Sequence, residues 1–322
     1  MSTTAGPRPG LPTAGAGEGA RPAGPGDRAD RVTSGLAVAN LVAQLAIIAT
    51  GGAVRLTGSG LGCSTWPMCE PGSFTPVFHE ATSIHPYVEF GNRTMTGVLS
   101  VVALALIWAL YRREPVRHRR VRHLGWAVLA GIGLQAVVGG MSVWYDLHPA
   151  IVGSHMLFSL GLVAVSAYLL VRLRRPDAPA EPLLDGAARA LPWLLAAVSL
   201  AVVVLGTVVT GAGPHSGDAE VGYRYAVDPA AAARWHGASV WLFLAVLAVL
   251  GVRLLRTRDR TLATARKGWW LLLAATLANG AIGYVQYLTG LPELLVGLHM
   301  VGAGLVVAAA TLTCSGLYVR RP

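Results

Sequence analysis

The sequence is short of charge: only 13% of its 322 residues are Asp, Glu, Lys or Arg, against 53% hydrophobic residues. A soluble globular domain carries about 25% charged residues, and a disordered chain is more polar still, so both classes are excluded. Acidic residues are scarcest, 16 against 26 basic, and Lys267 is the only lysine, which reads as genomic codon bias rather than mechanism. The net charge of +10 does not point to nucleic acid, because the arginines fall in separate short loops and form no stripe interleaved with aromatics. The first thirty residues, rich in Gly, Pro and Ala, lack both an apolar core and a cleavage pattern. They read as a flexible cytoplasmic tail rather than a signal peptide, and no function attaches to them. Cysteine is nearly absent, with three in the whole chain.

What the chain has instead is apolar runs of hydrocarbon thickness, about 20 residues each. They cover 34–54, 91–111, 124–144, 151–172, 191–211, 234–255, 268–288 and 293–318. The expectation is an all-α integral membrane protein with eight transmembrane helices. Arg28 and Arg31, Arg112 to Arg122, Arg172 to Arg175, Arg253 to Lys267, and Arg320 with Arg321 all fall on one side if each run crosses once. The positive-inside rule then puts both termini in the cytoplasm of a multi-pass protein of the cell membrane, with the lipid bilayer as its surroundings. On that orientation Cys63 and Cys69 lie in the first outer loop, where an oxidising compartment permits a disulfide. A loop staple and a redox-active pair both fit their spacing. Cys314, in the last run, reads as an inert buried thiol.

The chain also repeats itself. IVGSHMLFSLGLVA aligns with LVGLHMVGAGLVVA at an offset of 144 residues, which matches His155 with His299 and, one helix earlier, Gly139 with Gly283. Further upstream RLTGSG resembles VVTGAG at an offset of 153, so the first outer loop of the first half holds about nine extra residues, the cysteine region among them. Two tandem pseudo-symmetric four-helix bundles follow: a tail over 1–33, an N-terminal half over 34–175 and a C-terminal half over 176–322. Parallel repeats of this kind are related by an axis along the membrane normal, and each half can enclose a site between its helices.

Nine histidines sort by position. His118 and His123 lie in a basic loop, and His79, His85, His148 and His215 in outer loops or at helix ends, where surface or hydrogen-bonding roles suffice. His155, His236 and His299 differ, because each lies toward the outer end of an apolar run, where an imidazole needs a partner or a metal. In the second half His236 and His299 can face each other across a bundle as the axial pair of a b-type haem, whereas zinc would want further ligands. At the same offset Asn92 takes the position of His236, so the first half has His155 and an amide. Glu89 lies three residues before Asn92 on the same helical face, and its counterpart, position 233, is alanine. A carboxylate confined to the asymmetric half is a candidate for accepting protons or stabilising positive charge. Arg93 can pair with Glu89 or with a haem propionate. The plainer reading of VEFGNR is a polar cluster that glues helix ends together.

On GGAVRLTGSGLGC with WPMC, EFGNR, and the single histidines of the fourth, sixth and eighth runs in a duplicated chain, the sequence resembles the haem A synthase family over about residues 34–318. The resemblance implies oxidation of the C8 methyl group of haem O to a formyl group, with water as the oxygen source, giving haem A for cytochrome oxidase. It also implies a haem b cofactor between His236 and His299, substrate haem O near His155 and Glu89, a disulfide between Cys63 and Cys69, and a haem O synthase supplying the substrate. Many members carry histidine where this chain has Asn92. Either His85, two turns earlier, substitutes as a ligand, or the substrate iron is five-coordinate or water-bound; Pro86, which marks a helix start, favours the second. The competing class is a membrane b-type cytochrome moving electrons between a quinone and a partner, which predicts a histidine pair in each half. A transporter would need broken helices at the midplane, and a haem-binding assembly factor without catalysis would have no need of Glu89.

Overall fold

A computed structural model describes residues 25–78, 83–112, 119–176, 178–256 and 259–320. His79, His118, Arg321 and residues 1–24 of the expected tail lie outside the described residues. Among those described, eight helices are long and apolar enough to cross a membrane: α1 (Pro25–Leu56), α2 (His85–Arg112), α3 (Arg122–Trp144), α4 (Pro149–Leu173), α5 (Leu191–Ala212), α6 (Pro229–Arg256), α7 (Ala263–Leu288) and α8 (Glu293–Gly316). The chain is an all-α integral membrane protein. Two short strands, β1 (Glu181–Pro182) and β2 (Tyr318–Val319), pair antiparallel and tie the start of the second half to its end.

Every apolar run sits on a helix except for the last two residues of 293–318, which pass the end of α8 at Gly316, and several helices start earlier than the run does. α1 begins at Pro25, inside the segment expected as tail, and α2 begins at His85 rather than 91. An apolar window marks only the hydrocarbon layer, whereas the backbone bonds of a helix continue into the headgroup region. Prolines preset the first turns: Pro86 in α2, Pro149 in α4 and Pro229 in α6. The repeat is written into these boundaries. His85 and Pro229, Trp144 and Leu288, and Pro149 and Glu293 are each 144 residues apart.

In the first half α1 packs on α2 and α4, α2 on α3, and α3 on α4, closing a four-helix ring; α5 to α8 close the same ring in the second half. Across the seam α4 meets α8, α1 meets α8, and α4 meets α5. Exchanging α1 with α5 and α4 with α8 maps this set of contacts onto itself, as a two-fold axis between the halves requires. Packed side chains gather toward the end that carries the basic loops. Leu106, Leu110, Leu169 and Leu173 form such a cluster in the first half, and Leu247, Leu250, Leu254 and Leu272 in the second. The outer ends of both rings are left to cavities.

Candidate haem sites

The cavity of the second half encloses about 1230 Å³ free of protein atoms, part of it open to the outside, and is walled by Val202, Val240, Phe243 and Val306. His236 and His299 line it, each about two turns, or roughly 10 Å, into its helix. Their ring centroids are 6.3 Å apart with the planes at 84°. Nδ1 of His236 lies 3.1 Å from the Val202 carbonyl, and Nδ1 of His299 lies 3.1 Å from the Asn279 carbonyl. A carbonyl oxygen only accepts, so each Nδ1 carries the hydrogen and each Nε2 keeps a free lone pair. That tautomer, fixed from behind by a backbone carbonyl, is the one metal-ligating histidines adopt.

The spacing fits the same conclusion. Two imidazoles bound in line to one metal at about 2 Å, with about 1.2 Å from nitrogen to ring centre, have centroids about 6.4 Å apart. Among the described residues no third His, Cys, Asp or Glu joins them to make a metal cluster. Two axial nitrogens in a large apolar cavity suit a haem better than tetrahedral zinc. Glycines give the rings room. A Cβ on Gly206 of α5 would come within 3.2 Å of His236 Cε1, and one on Gly283 of α7 within 3.0 Å of His299 Cε1.

The first half has a smaller cavity of about 760 Å³, lined by His155, Asn92, Thr96, Gln44 and Gln135. His155 again faces a glycine, Gly139, whose Cβ would lie 3.5 Å from its Cε1. Its Nδ1, however, is buried without a partner. Gln135 holds the place of Asn279 but spends its amide nitrogen on the His155 carbonyl, at 3.0 Å, and on the Ser159 hydroxyl, leaving Oε1 unpartnered. Gln44 Nε2 and Arg55 Nε, on the same cavity, are buried and unpartnered too. Polar atoms in an interior are normally satisfied, so four orphans around one cavity mark a place for a ligand with polar or metal chemistry. On the same cavity, Asn92 Oδ1 accepts a 2.7 Å hydrogen bond from Thr50 of α1.

Residues 34–235 match the COX15-CtaA family, described as cytochrome oxidase assembly protein. The chain belongs to this family. It is 28% identical over 280 residues to a Heme A synthase of Symbiobacterium thermophilum, covering 81% of this chain and 88% of that one. It is 25% identical over 339 residues to a Heme A synthase of a Bradyrhizobium species, covering 88% and 90%. To a Heme A synthase of Geobacillus kaustophilus it is 32% identical over 154 residues, which spans under half of either chain.

In this COX15-CtaA protein Glu89, Arg93 and His85 do not line either cavity; they organise the outer loop beside the first one. Glu89 is buried, 5% exposed, and Cys63 and Cys69 are joined in a buried disulfide. The Cys63 N–H donates to Glu89 Oε2 at 2.7 Å, while Arg93 donates to Oε1 through Nε at 3.1 Å and Nη2 at 2.5 Å. Arg93 Nη1 reaches the carbonyls of Thr65 and Met68, inside the loop that the disulfide closes. His85, the first residue of α2, places Nδ1 2.8 Å from the buried Ser59 hydroxyl. On the other side of the loop Trp66 lies against Gly140, next to Gly139, and stacks edge-on with Trp144 at 5.3 Å. His148 caps α4 and His215 bonds the Leu291 carbonyl, the hydrogen-bonding roles expected of loop histidines.

The residue that sequence reasoning passed over in this family member is Arg55. It lines both cavities, as do Val152, Met156 and Met300, and its Nη2 donates to the Thr210 carbonyl of the other half at 3.0 Å. A lone arginine directly at the end of the first apolar run, in VRLTGSG, was the available signal, since such a charge at a membrane helix end is retained for a partner or a function.

Proposed function

We propose that this protein is a haem A synthase, oxidising the C8 methyl group of haem O to a formyl group with oxygen from water, the four electrons passing to an external acceptor and the four protons to solvent. The observation that carries the proposal is the unequal ligand sets of two equivalent cavities. The second offers a complete imidazole pair with its tautomers fixed, and the first offers His155 and, at the repeat position of His236, an amide. A filled coordination sphere suits electron transfer, and a half-filled one suits a substrate that must come and go. We therefore assign haem b to His236 and His299, where it supplies a one-electron redox centre, and substrate haem O to the cavity of His155 and Asn92.

The protein's own parts then divide the work. His155 is the ligand for the substrate iron, its ring held beside Gly139. Asn92, tied to Thr50, lines the same cavity without a strong donor nitrogen. Arg55, between the cavities, has its Nε free for a carboxylate of either macrocycle. Glu89, one turn from Asn92 but behind the cavity wall, is assigned an electrostatic role at a distance rather than contact with the substrate: its carboxylate favours the electron-poor methyl carbon as electrons leave it. Arg93 and the disulfide loop hold that charge in place. His85, engaged by Ser59, supports a substrate iron with His155 as its one histidine ligand. The arginine-bearing loops favour cytoplasmic termini, with the cavities toward the outer face. A haem O synthase in the same membrane is the natural supplier of the substrate.

Co-expression with a haem O synthase, in a host that makes no haem A, tests the proposal. Chromatography of the extracted haems should give haem A with the wild type and only haem O and haem b with His155→Ala. Haem O accumulating beside a folded, haem b-loaded wild type, with no haem A, would instead favour an electron-transferring cytochrome.

A further inference from the structure

A third cavity, of about 830 Å³, lies at the opposite end of the molecule, where the ends of α4 and α8 meet the start of α5 on the seam between the halves. Three guanidinium groups line it, Arg172, Arg175 and Arg320, and beside them is an apolar wall that includes Val171, Trp193 and Ala196. No carboxylate pairs with any of the three among the described residues. Arg175 Nη1 is spent on the Ser315 and Tyr318 carbonyls, at 2.7 and 2.9 Å, and Arg320 on the Ala178 carbonyl. Arg172 Nη1 is buried and has no hydrogen-bond partner among the described residues. Burial, and the nearby charges of Arg320 and Arg172, push the pKa of Arg175 below its usual value. Three like charges gathered with no carboxylate beside them among the described residues are unfavourable, and an anionic group that also brings apolar surface for the wall relieves them.

We propose that this cavity is a binding site for an anionic phospholipid, with its phosphate on Arg172, Arg175 and Arg320 and an acyl chain along Trp193 and Ala196. Trp193 and Tyr168 are exposed at the level where aromatic rings mark the membrane interface, and the site faces the leaflet of the basic loops, where basic pockets between helices collect acidic headgroups. A lipid seated there touches α4 of the first half together with α5 and α8 of the second, so it bridges the pseudo-symmetric seam. The inference is independent of the chemistry assigned to the haem cavities.

The test uses the full-length protein in detergent, stripped of lipid, with dissociation constants read by native mass spectrometry. Phosphatidylglycerol should bind well ahead of phosphatidylcholine, and Arg172→Gln should weaken it about fivefold, the value of one basic group near an acidic headgroup. Arg172→Lys should recover most of that loss, and Arg256→Gln, at the end of α6, should change nothing. If Arg172→Gln does not fold, Trp193→Ala takes its place and should weaken the lipid while leaving its preference over phosphatidylcholine intact. Equal binding of the two lipids, displacement of the lipid by millimolar inorganic phosphate, or unchanged affinity in the folded variants would overturn the proposal.

Discussion

Glu89 and Cys63 are joined across the first outer loop: the backbone N–H of Cys63 donates to Glu89 Oε2 at 2.7 Å, one residue position into the loop that the disulfide closes. With Arg93 on the other carboxylate oxygen, the acid is both a fixed charge and the anchor of the loop. Substitutions separate the two. Glu89→Gln keeps an acceptor for Cys63 and removes the charge, so haem A yield should fall by about 100-fold with haem b and folding retained. Glu89→Ala should lose haem A as well, and should also destabilise the protein by about 3 kcal/mol, since it leaves the Cys63 N–H and the Arg93 guanidinium without the acceptor oxygen that a glutamine at this position still supplies. Extracted haems and thermal unfolding read the two effects, and wild-type haem A from Glu89→Gln would remove the charge from the chemistry.

The imidazole pair depends on glycines behind it. In Gly283→Ala the new Cβ would lie 3.0 Å from His299 Cε1, and in Gly139→Ala 3.5 Å from His155 Cε1, an ordinary contact. Gly283→Ala should therefore turn the His299 ring, break its bond to Asn279 and lower haem b content, whereas Gly139→Ala should leave haem b untouched. Haem content per protein by optical absorption measures both, and equal behaviour of the two would count against the steric argument.

Asn92 is the difference between the two ligand sets. Asn92→His supplies the first cavity with a second imidazole at the repeat position of His236, at the cost of the Thr50 hydrogen bond. With haem O co-expressed, the variant should show a second bis-imidazole low-spin signal by electron paramagnetic resonance and slower turnover. A spectrum identical to wild type, with haem O shown to be bound, would place the substrate iron elsewhere.

The disulfide loop is held down by Trp66, whose ring would be 2.5 Å from a Cβ on Gly140. Gly140→Ala must push Trp66 off α3, which should cost about 1 to 3 kcal/mol and raise the rate at which the Cys63–Cys69 disulfide is reduced by an external thiol. Unchanged reduction kinetics would detach the loop from α3.

Much of this was legible in the sequence, because it was periodic. Eight apolar runs and a 144-residue offset yield eight helices, and the same offset pairs His155 with His299 and Asn92 with His236. Loop geometry carries no such period. Nothing in EFGNR says whether Glu89 faces a cavity or the cysteine loop, since residues three apart share a helical face but the outer loop decides what covers each of them. The structure puts Asn92 on the cavity and Glu89 under Cys63. Arg55 escaped for a related reason: its partner, the Thr210 carbonyl, is 155 residues away in the other half, and only the folded seam brings them together. The Nδ1 bonds that fix both tautomers in the second half end on backbone carbonyls, which leave no trace in residue identity.

The measurement that bears most directly on the account is the low-spin bis-imidazole signal of the purified protein from cells lacking haem O. It should be present in the wild type and in His155→Ala, and absent from folded His236→Ala and His299→Ala. A signal that survives loss of His299, or one that disappears with His155, would contradict the division of the two cavities into a cofactor site and a substrate site.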